Sequence, residues 1–159
     1  MRKNIHLHTT MLIFVQNDQV LLGYKNRGFA AGTYNGFGGK VEPNETILSA
    51  LIRECKEEGG FAPVDPKPVG TINYDEVMKG KRQNIQMHIY TCTKIDGIIT
   101  PSTEMTPQFS NIDNLPISKL LPDTAIWLPL ILKGFSVNAD FILNDDLTIK
   151  SYTLNKNLL

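Results

Sequence analysis

Cysteine, net charge and long hydrophobic runs are all scarce in this chain. Two cysteines, Cys55 and Cys92, stand among 159 residues without metal-ligand spacing, so free thiols in a reducing compartment are expected rather than a disulfide scaffold. Sixteen basic residues balance sixteen acidic ones, and a net charge of zero leaves no broad footprint for a nucleic-acid polymer or an anionic membrane. The first apolar run, residues 11–15, is too short for a signal-peptide core, and no run approaches a membrane span. A cytoplasmic location is therefore the expectation. Repeats, low-complexity tracts and Pro-, Gly- or Ser-rich linkers are lacking too, which favours a single domain over residues 1–159. With 42% hydrophobic residues, that length supports one sizeable core.

Periodicity predicts strands at 6–15 and 20–25 joined by an Asn17-Asp18 turn, then a Gly-rich loop to residue 36. Residues 69–77 and 84–93 read as a hairpin with its turn at 78–82, and 105–110 as a short strand. An amphipathic helix is predicted over 123–133 despite Pro129, followed by a final hairpin from 141–143 to 147–154. The class implied is α/β, with a mixed sheet sandwiched between helices.

Most of the chemistry is concentrated in residues 39–61. Asn44 after Pro43 reads as an N-cap and Gly59-Gly60 as a stop, enclosing a helix. At 100° per residue, Leu48, Leu51, Ile52 and Cys55 share an apolar stripe, while Glu54, Glu57 and Glu58 gather about a third of a turn away. Like charges at these spacings repel by tenths of a kcal/mol per pair unless a cation sits among them. Hard divalent cations are the usual answer, because magnesium prefers oxygen ligands shared between carboxylates and phosphates.

The fixed positions Gly39, Glu45, Arg53, Glu54, Cys55, Glu57, Glu58, Gly60 and Phe61 resemble the signature of the MutT/Nudix hydrolase family at every point. With each residue type at about 6–7% usage, a chance match is on the order of a few in 10⁹ per start position. The resemblance implies the Nudix fold and a loop-helix-loop in which Glu54, Glu57 and Glu58 bind Mg²⁺, with Mn²⁺ a possible substitute, helped by a backbone carbonyl near Gly38. Arg53 and Glu45 are expected to be structural, with Arg53 off the carboxylate face and Glu45 in the first helical turn. Gly38 and Gly39 suit close backbone approach to phosphate or metal, which a Cβ would block.

Beyond this box, residues 21–29 and 35–41, Glu104-Met105, Pro122-Asp123 and 127–129 resemble the MutT homologues that hydrolyse oxidised purine nucleoside triphosphates such as 8-oxo-dGTP. By that resemblance Thr10, Phe29, Asn35, Asp123 and Trp127 line a base pocket, with Phe29 and Trp127 stacking on the base and Asn35 and Asp123 reading its edge. Glu58 is the first candidate for positioning or deprotonating water, Glu104 a further metal ligand or alternative base, and Lys25 and Lys40 candidate triphosphate contacts. The partner implied is a small nucleotide, the products a nucleoside monophosphate and pyrophosphate, and the protein a monomer. Other nucleotide substrates or a non-catalytic nucleotide sensor are the alternatives, although a sensor does not need the complete acid set.

Two departures bear on substrate choice. Where the subfamily has Trp-Pro-Asp-Asp, this chain has Leu121-Pro122-Asp123-Thr124, which argues against breadth across oxidised guanine and adenine, and the hairpin that carries pocket aromatics in the subfamily has Tyr74 and Glu76. A separate candidate, a metal pair made by His6 and His8, lacks a third ligand in the sequence. Cys55 lies on an apolar stripe, where thiol catalysis is disfavoured.

Overall fold

The computed structural model describes residues 5–159. β1 (Leu7–Gln16) and β2 (Gln19–Lys25) form a hairpin through Asn17 and Asp18, both at positive φ, as a two-residue turn between right-twisted strands requires. A short β3 (Tyr34–Asn35) then pairs with β2. α1 (Ile47–Gly59) follows, and β4 (Phe61–Pro63) later pairs with β7 (Ile95–Gly97) in a separate small sheet. β5 (Lys67–Met78) and β6 (Lys81–Cys92) make the long central hairpin, and β8 (Met105–Asn111) adds to β2. After a 3₁₀ turn at Ile117–Lys119 come α2 (Thr124–Leu132), β9 (Phe135–Leu143) and β10 (Ile149–Leu158).

The main sheet runs β10-β9-β5-β6-β1-β2-β3, with β8 branching from β2. β1 is parallel to β6 and β5 to β9, and the other pairs are antiparallel, so the sheet is mixed as the sequence predicts. Strand alternation sends residues to both faces. Met11, Ile13, Ile72, Met87 and Phe141 pack with Trp127, Leu128 and Ile131 of α2. Leu12, Phe14, Leu21 and Phe37 pack with Leu51 and Cys55 of α1. The two helices therefore cover opposite faces.

Several local expectations change. The N-cap of α1 is Thr46, not Asn44: Thr46 and Ser49 form a reciprocal capping box, while Asn44 sits at a φ of 66°. The buried stripe of α1 is Ala50, Leu51, Cys55 and Glu58, whereas Leu48 is exposed. The β5–β6 turn is tight, only Lys79-Gly80 at φ 52° and 75°, and the additional residues are absorbed as paired strand. β9 starts already at Phe135, because Val137, Ala139, Phe141 and Leu143 alternate inward beside β5. α2 is not amphipathic. Its nine residues include no charge and none is exposed, so it behaves as a buried helix with apolar groups all round.

Candidate active site

The segment 37–41 runs beside β1, with Phe37 bridged to Leu12 and Lys40 to Thr9. Its glycines permit that approach: a Cβ on Gly38 would stand 1.9 Å from the Thr10 carbonyl oxygen, and one on Gly39 2.6 Å from the Glu54 carboxylate. Thr10 is buried, with its hydroxyl 3.5 Å from both the amide and the carbonyl of Gly39. The Gly38 amide donates to Glu58 at 2.8 Å. Leu51, Cys55 and Glu58 continue one stripe at i, i+4 and i+7, which explains how a carboxyl ends up 7% exposed at the end of a core face.

Arg53 ties this region together. Its guanidinium grips both oxygens of Glu45, at 2.7 and 3.0 Å, donates to the Lys40 carbonyl at 2.9 Å, and reaches Glu54 at 3.0 Å and Glu57 at 3.2 Å. Its structural role is as expected, but Arg53 faces the carboxylates rather than away from them. Glu45 lies before the N-cap, not in the first turn, and also accepts the Glu42 amide. Glu57 is largely exposed, whereas Glu54 is mostly buried.

Burial raises two of these acids, Glu58 and Glu54. Glu58 is pushed up to about 7, mainly by burial and then by Glu54 and Glu104, against the opposing Gly38 hydrogen bond and the charge of Lys25. Burial also raises Glu54, partly offset by Arg53. Glu104 is held by Arg27 at 2.7 Å, a partner with no signal in the sequence pattern.

The donor chemistry fits a hard divalent cation: oxygen ligands only, with the proton affinity of Glu54 and Glu58 raised, which a cation would relieve. Among the described residues, however, no three acid, histidine or cysteine side chains converge into a ready-made cage. Glu54 and Glu57 share Arg53 instead.

A second group of polar residues gathers at the start of α2. Asp123 is 3% exposed, and its Oδ2 accepts the Tyr74 hydroxyl at 2.5 Å and the Trp127 indole N–H at 3.2 Å. Burial raises its carboxyl despite those bonds. Trp127 is fully buried in the α2 core. Phe29 is half exposed on the loop between Gly28 and Ala30, both at positive φ. Asn35 pairs with Gly23, and its side-chain oxygen accepts the Gly36 amide.

The NUDIX domain family matches residues 6–132 of the chain. The chain belongs to this family. The Nudix chain is 39% identical to the oxidized purine nucleoside triphosphate hydrolase of Mus musculus over 147 residues, covering 92% of this chain and 93% of that one. It is 40% identical to the protein of the same name from Danio rerio over 124 residues, 78% of each. Among solved structures, a mutator MutT protein from Bacillus halodurans superposes with a TM-score of 0.80 at 25% identity, covering 94% of this chain and 97% of that one. Nudix hydrolases generally use divalent cations.

The site residues named from sequence thus fall into two groups in this Nudix domain. Gly38, Gly39, Thr10, Glu54 and Glu58 come together, with Lys25 and Glu104 within electrostatic reach of Glu58 and Glu57 at the margin. Lys40 contributes its carbonyl to Arg53. Asp123 and Trp127 sit with Tyr74. Thr10 is on the Gly39 side, sharing the strand parity of Leu12 and Phe14 under α1. The histidines set aside as a metal pair do not meet each other: His8 lies 3.0 Å from His88, while His6 accepts the Asn84 amide.

Proposed function

We propose that this Nudix domain hydrolyses oxidised purine nucleoside triphosphates, such as 8-oxo-dGTP, to the nucleoside monophosphate and pyrophosphate, thereby sanitising the nucleotide pool. The observation that carries this reading is the 39% identity extending over nearly the whole length of the mouse oxidized purine nucleoside triphosphate hydrolase. Glu54, Glu57, Glu58 and Glu104, with the Gly38 carbonyl, would hold Mg²⁺ or Mn²⁺. When bound, the cation supplies charge neutralisation at the phosphates and lowers the pKa of water.

The chain's own groups supply the rest. Glu58 is fixed by the Gly38 amide and has a proton affinity near neutrality, which suits it to hold a water and accept its proton. Gly38 and Gly39 bring backbone close to the polyphosphate, and Lys25 and Lys40 offset its charge. Arg53 keeps helix and loop in register through Glu45 and Lys40. Asp123, oriented by Tyr74 and Trp127, reads the purine edge, Asn35 adds a donor and acceptor, and Phe29 covers the base.

The test is pyrophosphate release with magnesium from 8-oxo-dGTP, 2-hydroxy-dATP, dGTP and dATP, with nucleotide sugars and dinucleotide polyphosphates alongside. Preference for an oxidised purine is expected. Turnover confined to the sugars or dinucleotides would overturn the substrate assignment while leaving the phosphoanhydride chemistry in place.

A further inference from the structure

The acids proposed to hold the cation differ from Glu45 in how their oxygens are used. Arg53 occupies both carboxylate oxygens of Glu45, which makes that acid a fastening. Among the described residues, Glu54, Glu57, Glu58 and Glu104 each have one oxygen held by the protein and the other without a protein partner. Arg53 takes Oε1 of Glu54 and Oε2 of Glu57, the Gly38 amide takes Oε1 of Glu58, and Arg27 takes Oε1 of Glu104. Of these four holds, only the last comes from outside residues 38–58.

Arginine and carboxylate commonly form two parallel bonds, one to each oxygen. Arg27 instead brings Nε at 2.8 Å and Nη2 at 2.7 Å to the same Oε1. The backbone of Glu104 is fixed from the same side. Lys25 pairs with Met105 where β2 ends, and the Asn26 amide then donates to the Glu104 carbonyl at 2.9 Å. The Asn26 side chain donates to the Ser102 carbonyl at 3.3 Å and accepts the Thr106 hydroxyl at 3.0 Å, while the Ser102 hydroxyl accepts the Glu104 and Met105 amides. Met105 is buried with Phe37 and Cys55, which anchors this corner on the α1 side. The Arg27 and Glu104 side chains are 63% and 42% exposed, so their pairing adds little to stability. What it fixes is the direction of the carboxyl.

We propose that Arg27 is a positioning residue for the cation site, holding Oε1 of Glu104 so that this carboxyl meets the cation already oriented, through Oε2. This rests on the reading of Glu104 as a cation ligand given above. Such a partner raises affinity by removing the rotamer freedom that an exposed glutamate otherwise loses on binding. The positive charge of Arg27 opposes the cation, but it is screened by solvent and directed at Oε1, so orientation outweighs repulsion. Where Glu104 cannot act as a ligand, only the repulsion remains. The sign of the Arg27 effect on cation affinity therefore depends on Glu104.

A double-mutant cycle on Mn²⁺ binding to the nucleotide-free protein, followed by electron paramagnetic resonance of the free ion, tests this with Arg27→Ala, Glu104→Gln and the two combined. Arg27→Ala is expected to weaken Mn²⁺ binding about 3–10-fold when Glu104 is present, and to leave it unchanged or tightened in the Glu104→Gln background. Arg27→Lys keeps the charge but not the two-pronged hold on Oε1, and should recover only part of the loss. In turnover of 8-oxo-dGTP, the magnesium concentration for half-maximal rate should rise by a similar factor in Arg27→Ala, with the melting temperature retained. Equal weakening in both backgrounds, no weakening with Glu104 present, or full recovery by lysine would overturn the positioning role. Unchanged Mn²⁺ affinity in Glu104→Gln would overturn the reading of Glu104 as a ligand and this inference with it. The cycle needs no substrate, so it decides the role of Arg27 even where the wild type fails to turn over oxidised purines and the substrate reading falls.

Discussion

The acids at the α1 end and those at the α2 end of this Nudix domain are held in opposite ways. Glu54 and Glu57 share the Arg53 guanidinium, and all of these residues come from a single helix and the loop before it. Asp123 and Glu76 come from a helix start and a distant strand, with neutral Tyr74 and Trp127 as the donors to Asp123. The Arg53 cation beside the first group partly offsets the burial that raises Glu54, and holds these oxygens where a metal could reach them. Neutral donors and burial around the second favour a proton, which suits the recognition of an uncharged base. Glu58 lies between these cases: it belongs to the α1 end but is buried like Asp123.

The largest expected effect separates chemistry from recognition. Glu58→Gln should lower kcat about 10²–10⁴-fold with KM little changed and the fold retained, because the isostere keeps the shape but cannot take a proton. Near-normal turnover would remove Glu58 from the catalytic machinery. At the other end, Trp127→Ala should cost about 3–5 kcal/mol in denaturant unfolding, since it empties a fully buried site that also orients Asp123. A cost below about 1 kcal/mol would mean that the α2 face is not the tightly packed side.

Acid pKa values sharpen the comparison through pH. In Glu58, Glu54, Asp123 and Glu76 the folded state binds the proton more tightly than the unfolded chain, so each favours folding at low pH and loses that contribution as pH rises. For Glu58 the window runs from about 4.5 to about 7. Metal-free protein should therefore lose about 1–3 kcal/mol between about pH 5 and pH 7.5, with much of the slope removed by Glu58→Gln and the loss at the upper end offset by magnesium. A flat or rising profile by thermal melting would contradict this. Smallest of the four, Arg53→Lys should cost about 1–2 kcal/mol, because an ammonium cannot hold both Glu45 oxygens and the Lys40 carbonyl as a planar fork does. Unchanged melting would show that this network is not a fastening.

The helix and its acids were legible because their information is local. Spacing along residues 39–61 places the carboxylates on adjacent parts of one helix, and alternation outlines the strands of the mixed sheet. Even there, small errors had physical causes. Thr46 outcompetes Asn44 as the cap because Ser49 can answer it, and the buried stripe turns toward Glu58 because Phe14, Phe37 and Phe61 pack around Leu51 and Cys55. The short β4 and β7 strands escaped notice because three residues carry too little period to read.

By itself, then, the sequence determined the family, the acid helix and its glycine loop, since these depend on residue types at fixed short separations. Only the tertiary structure decided that Arg53 faces the carboxylates, that Arg27 holds Glu104, and that the Tyr74 hydroxyl reaches Asp123. Those pairings join residues far apart along the chain or set by a side chain's final direction. Sheet order and burial choose them, and no periodicity along the sequence encodes either.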